Sequence, residues 1–221
     1  MIGRRRAATR YANRTVAGRA LAAALVTEAV LENPVVLALP RGGVPVAAKV
    51  AARLAAPLDV ILVRKIGVPG RSELAMGALA MIGGEISEFR NDEIVSGLRI
   101  SSQAFEAARD RERLELERRA SIFPSADLDI ADATVILVDD GLATGSTMLA
   151  AVAAVRTHAP AAAVVAVPVG ARQAVQALRS VADFVVCLSM PEPFIAVGGA
   201  YEDFRQLSDE EVLTILKEGA S

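Results

Sequence analysis

The chain has almost none of several residue types that would point to particular chemistries. Trp is absent, aromatics are 4% of 221 residues, and there is one Cys and one His. One cysteine, Cys187, leaves no internal disulfide and fits a reducing cytoplasm, which is the expected location. It lies within "FVVCLSM", where an apolar thiol is expected to pack rather than attack. The single histidine, His158, follows an alanine-rich helical run, which gives Ser-His-Asp catalysis little basis. There is no excess charge of either sign: 24 basic residues stand against 26 acidic ones, a formal charge of -2. That balance argues against a nucleic-acid or membrane-surface partner. No apolar run approaches the ~20 residues of a membrane span. The glycine patterns GxGxxG and GxxxxGK[ST] are also missing, which removes the two commonest phosphate-binding α/β readings. The arginines Arg4 to Arg6 read as a solvated tail and not as a targeting segment.

Small aliphatic residues dominate what is present. Hydrophobic content is 53%, enough for one sizeable domain with a core of Ala, Val, Leu and Ile. Helices are expected over 14–31, 44–55, 101–119, 147–157, 171–180 and 208–218. Continuous apolar runs at 35–39, 58–63, 134–138, 162–168 and 183–188 do not alternate, which is the mark of strands buried on both faces. The fold class is therefore α/β, a parallel sheet flanked by helices. A hairpin is expected across 74–89 and a loop across 66–73, where two Gly and one Pro interrupt the pattern. The whole chain, 1–221, reads as a single domain.

Ligands of such sheets sit beyond the carboxyl ends of the strands. There the sequence places "PRGG", "RK" and, most informatively, "VILVDDGLATGST" (135–147). In that stretch an apolar strand delivers two carboxylates, Asp139 and Asp140. A turn of little bulk comes next: Gly141, Leu142, Ala143, Thr144, Gly145, Ser146 and Thr147. Small residues let an anion approach the backbone, and the next helix offers open N–H groups and positive dipole character. Carboxylates repel phosphate but accept hydrogen bonds from vicinal hydroxyls. The stretch fits a ribose 5-phosphate, with its phosphate on the turn and its diol on the acids. A helix cap or a metal site is the alternative reading of the acid pair. Gly42 and Gly43 also suit an ordinary strand–helix turn, Arg64 and Lys65 suit a solvated strand end, and the aromatics of 194–204 suit core packing.

These residues resemble the type I phosphoribosyltransferases, whose signature for phosphoribosyl pyrophosphate (PRPP) "VILVDDGLATGST" matches. "LPRGG" (39–43) is similar to the family's pyrophosphate loop, "VRKIGVPGRSE" (63–73) to its mobile loop and "PFIAVGGAYEDF" (193–204) to its hood. Overall the chain is similar to a bacterial group of phosphoribosyltransferases whose pattern does not reveal the acceptor. The resemblance implies a type I fold with a small hood, from the N-terminal segment and/or about 190–210, and a mobile loop. It implies transfer of the 5-phosphoribosyl group to a nitrogen acceptor with release of pyrophosphate; a PRPP- or nucleotide-sensing regulator is the alternative. Asp139, Asp140, Lys65 and Arg41 would be catalytic, with PRPP on 139–147. Arg41, Gly42, Gly43, Arg64, Lys65 and Arg71 would meet the pyrophosphate. Phe194, Tyr201 and Asp203 would form the acceptor side. Mg²⁺ would be held mainly by PRPP, with Asp139 or Asp203 in contact through water. A homodimer and a cis Pro40–Arg41 peptide are further expectations. One departure stands out: purine-salvage members carry a third acid where this chain has Ala143, leaving Asp203, Glu202 and Glu73 as substitutes for that base.

Overall fold

The computed structural model describes residues 10–28, 31–123 and 128–219; the side chains of Glu28, Ser72 and Glu73 are outside that description. The segment Arg4–Arg6 and the Glu73 carboxylate therefore lie outside it. In chain order the elements are α1 (Arg14–Glu28), β1 (Pro34–Ala38), α2 (Gly43–Leu54), β2 (Leu58–Val60), β3 (Leu62–Val68) and β4 (Arg71–Ile82). They continue with β5 (Glu85–Arg90), α3 (Asp92–Gly97), α4 (Ser102–Ala120), β6 (Thr134–Val138) and α5 (Ser146–Arg156). The chain ends with β7 (Ala162–Val169), α6 (Arg172–Arg179), β8 (Phe184–Ser189), a 3-10 turn (Val197–Ala200) and α7 (Asp209–Gly219).

Five strands form the central sheet in the order β2-β1-β6-β7-β8, with every pairing parallel. The continuous apolar runs have the expected cause. Val135 to Val138 of β6 are wholly buried between two helical layers, each side chain contributing about 1.5–3 kcal/mol. Helices α1, α2 and α7 cover one face, and α5 and α6 the other. Edge strand β8 is less enclosed, and Phe184 is 39% exposed.

A second, antiparallel sheet, β3-β4-β5, packs between α4 and α5. Here two expectations are corrected. The run 58–63 belongs to two strands in two sheets, breaking at Ile61. The expected loop over 66–73 is a strand, a two-residue turn at Pro69–Gly70 and the start of another strand. The glycines misled because their conformational purpose differs. Gly67 sits where the β3–β4 register shifts, and Gly70 takes φ 75° next to a proline, a tight-turn requirement. Helix α3 had no periodic signal in the sequence; Asn91 caps it by accepting the N–H of Ile94.

Candidate functional site

The ends of β1 and β6 are neighbours, so the turns that leave the two strands meet: Leu39 N–H donates to Val138 O at 2.9 Å. After β1 the chain turns at Pro40–Arg41, whose peptide is cis, and enters α2. Gly43 lies so close to β6 that a Cβ there would stand 2.6 Å from Val138 O. After β6 come Asp139 and Asp140, then the turn into α5. Gly145, at φ 73°, ends that turn without a side-chain cap, which leaves the helix's first N–H groups to polar neighbours. Ser146 N–H reaches only Thr144 Oγ1, at 3.4 Å, and the two hydroxyl oxygens are 3.0 Å apart. Lys65 arrives from the other sheet, its Nζ donating to Ser146 Oγ at 3.0 Å. A cation, three hydroxyls and a helix N-terminus thus share one concave place.

A cavity of about 800 Å³ opens beside it, lined in part by Leu39, Pro40, Arg64, Lys65, Asp139 and Thr147. Its far wall is α4, which contributes Arg111, Glu112 and Arg119. Arg64 is held toward that wall by Glu112, Nε to Oε2 at 2.8 Å. A second hollow of about 190 Å³ lies over the turn, lined by Asp139, residues 141–148 and Val197. Val197 packs so closely on Gly141 that a Cβ there would meet it at 2.5 Å.

The acids differ. Asp139 faces both cavities, and its Oδ1 accepts the N–H of Asp140 at 2.8 Å. Burial, then the charge of Asp140, raises the Asp139 carboxyl well above the ordinary carboxylate range. Asp140 turns away to Arg14 of α1, accepting its Nε–H at 2.8 Å. Burial raises Asp140 as well, while Arg14 opposes the shift.

The expected site residues divide accordingly. Asp139, Gly141, Ala143, Thr144, Gly145, Ser146, Thr147, Arg64 and Lys65 surround the two cavities. Gly42 and Gly43 line neither cavity; they pack against Asp140 and the end of β6, respectively. Leu142 is a backbone member only, its side chain 2% exposed in the core. Arg41 points into a neighbouring hollow with Arg118, Arg119 and Asp209, its Nη1 3.7 Å from Asp209. Arg71 is exposed at the hairpin turn and lines neither cavity. Tyr201 is not a stacking platform: it is 1% exposed, and its hydroxyl donates to Asp140 O at 2.6 Å. Burial and the neighbouring carboxylates push its pKa up and keep it a donor. Phe194 packs on the same small core, with Tyr11 and Tyr201. Asp203 faces a different hollow, with Arg14 and Arg205, and Glu202 is exposed away from both cavities. Sequence reasoning missed Arg14, Arg111 and Arg119. The helical spacing of 108, 111, 112 and 119 was the available signal for α4; nothing local distinguished Arg14.

A parallel α/β sheet with a two-acid, small-residue turn at its central strand end defines a phosphoribosyltransferase-type protein. A family profile described as the phosphoribosyl transferase domain matches residues 9–204, and the chain belongs to that family, of type I. The Mycobacterium tuberculosis protein named "Putative phosphoribosyl transferase" is 44% identical over 184 residues, which are 82% of this chain and 41% of that protein. The chain thus spans about two-fifths of that relative's length. Protein TT1426 of Thermus thermophilus is 44% identical, with a TM-score of 0.84 over 96% of this chain and all of that one. Among the described residues no helix is long and apolar enough to cross a membrane.

Proposed function

We propose that the protein transfers the 5-phosphoribosyl group of PRPP to a nitrogen acceptor and releases pyrophosphate. One observation carries the reading: the cradle at Thr144–Thr147, completed by Lys65, shares Asp139 with a cavity that four cations border, Arg64, Lys65, Arg111 and Arg119. The 5-phosphate suits the cradle, since open N–H groups and hydroxyls donate to it. Asp139 suits a ribose hydroxyl. The cationic cavity suits the leaving group, whose negative charge grows as the glycosidic bond lengthens. Fixed cations opposite that charge lower the barrier by electrostatic preorganisation, and α5 and β3 hold the reactants in line.

Divalent magnesium would supply charge neutralisation of the pyrophosphate, and its oxygens are the main ligands in this reading. Among the described residues no group of three His, Cys, Asp or Glu forms a metal cage. Asp139 fits contact with such an ion, because its Oδ2 has no protein donor among the described residues. Asp203 faces elsewhere. The other contribution of the protein is to the acceptor. Among the described residues the hollow over the turn carries one acid, Asp139, beside aliphatic Val197, and the Glu73 carboxylate lies outside them. An acceptor that is already anionic, or an amine that gives its proton to water, fits best.

The test is isothermal titration with Mg-PRPP, then a panel of nucleobases and amines scored for pyrophosphate release. Saturable binding with release on one acceptor supports the proposal. Binding without release on any acceptor supports a PRPP sensor instead, and no binding refutes both.

A further inference from the structure

The side chain of Arg14 is only 11% exposed, yet its guanidinium is not fully used. Nε donates to Asp140 at 2.8 Å and Nη1 to Arg205 O at 3.0 Å. The Phe204 ring covers one face, its centroid 4.0 Å from Cζ. Nη2, which carries two of the five N–H donors, has no acceptor among the described residues.

Arg14 lines a hollow of about 410 Å³ between α1, the start of α2, the strip 203–207 and α7. This hollow shares no lining residue with the two cavities of the cleft. Its volume suits a small molecule, for which pockets measure about 300–1,000 Å³. The charges around it are unevenly committed. Arg205 and Glu211 close on each other, Nη1 to Oε2 at 2.9 Å, and Glu211 also accepts the Ser208 N–H. Asp203 has no ion pair among the described residues: its Oδ1 accepts the Arg205 N–H at 3.1 Å, and its Oδ2 accepts nothing. Pro45, Leu207 and Ile215 add an apolar wall, and the last two are themselves packed on the main core.

The two uncommitted groups are close. Asp203 Oδ1 is bonded to the nitrogen of Arg205 and Arg14 Nη1 to its oxygen, so carboxylate and guanidinium lie no more than about 10 Å apart. An α-amino acid spans such a gap with two hydrogen bonds of about 3 Å and about 3 Å between its own charges. A carboxylate alone would face Asp203 unpaired, and an amine alone would leave the guanidinium edge unmet. A zwitterion meets both, and an aliphatic side chain covers the wall.

We infer that this hollow binds a free α-amino acid with an aliphatic side chain. Its ammonium pairs with Asp203, its carboxylate with Arg14, and its side chain packs on Pro45, Leu207 and Ile215. The site is separate from the cleft and does not depend on PRPP turnover.

The experiment is isothermal titration of the full chain with L-leucine, glycine, isopentylamine and 4-methylpentanoate. The last two are leucine without its carboxylate and without its ammonium. L-Leucine is expected to bind once per chain. Loss of either charged group should weaken binding about 10–10²-fold, the value of a charge-assisted hydrogen bond. Glycine, with no side chain for the wall, should bind at least about tenfold more weakly. Asp203 is exposed, so Asp203→Asn keeps the fold; it should weaken leucine about 10–10²-fold and leave 4-methylpentanoate unchanged. Lys65→Met, in the cleft, should leave leucine binding as it is. Absence of saturable binding for L-leucine, L-isoleucine and L-valine overturns the inference. An amine or acid analogue that binds as tightly as leucine overturns it too. So does leucine binding that survives Asp203→Asn and is lost in Lys65→Met, since the amino acid then sits in the cleft.

Discussion

Gly42→Ala should be destabilising even though its backbone has no need of glycine. Gly42 has φ -63° and ψ -35°, ordinary helical values, so alanine adopts them freely. On that ground alone the substitution would stabilise by ~0.4–1 kcal/mol, through a less disordered unfolded chain. The added methyl meets Asp140, however, with Cγ at 2.6 Å. The carboxylate has to swing, and doing so stretches its 2.8 Å bond to a guanidinium that has little access to water. Deleting one partner of a buried pair costs about 3–5 kcal/mol; displacement keeps both charges and loses part of this, about 2–4 kcal/mol. The net expectation is a loss of about 1–3 kcal/mol, or roughly 2–12 °C in Tm for a domain of this size. Two neighbouring cases set the scale. Gly43→Ala meets backbone, Val138 O at 2.6 Å, which cannot swing aside, so it should lose at least as much. Gly97→Ala meets nothing within 4 Å and should gain up to about 1 kcal/mol. Urea denaturation of the three variants checks the order. If Gly42→Ala matches wild type within about 0.5 kcal/mol, beside a Gly97→Ala that behaves as expected, the packing of Asp140 on Gly42 is not a constraint and the reasoning fails.

Three further outcomes come from the same geometry. The raised Asp139 carboxyl has its folded pKa above its unfolded one, so its contribution to stability is present at low pH and lost as pH rises through the folded value. Ligand that needs the carboxylate should therefore bind more weakly as pH falls, by up to about tenfold per unit beyond the phosphate's own titration; titration across pH 5–8 should lose that excess slope in Asp139→Asn, and an unchanged slope would refute it. Burial pushes the Cys187 thiol up to about 11, which leaves a thiolate fraction of about 10⁻³ at pH 8. Labelling with an aromatic disulfide at that pH should be slow in the native protein and fast in urea; rapid native labelling would contradict the burial. With Ala143 where a third acid stands in similar enzymes, and no second carboxylate over the turn among the described residues, hypoxanthine and guanine should be poor acceptors. A kcat/KM at or above ~10⁴ M⁻¹s⁻¹ for either purine would show that no such base is required.

Legibility in the sequence tracked the range of the interactions involved. The parallel sheet was readable because burial on both faces writes itself into consecutive residues, as in Val135 to Val138. The cradle was readable for the same reason: strand end, acids, small turn and helix start are contiguous, and each has a local backbone cause. The segment 66–73 was misread because glycine and proline mark both loops and tight hairpins, and only the partner strand decides between them. For Tyr201 the sequence left two readings open, because an aromatic in such a strip can face a ligand or the strip's own core; its pairing with Tyr11 turns it inward.

Arg14 shows the limit of local reading most clearly. It is 126 residues from Asp140 and 190 from Phe204, and its own neighbours in α1 give no hint of a buried partner. A buried arginine survives only if its charge is met and its plane is covered, and this one has a carboxylate at its edge and a ring on its face. Those demands run through three separate elements, so the position is determined by the fold and not by the motif. Asp139 and Asp140 are neighbours in one sequence signature, whereas the fold turns the first toward the cleft and pairs the second with Arg14.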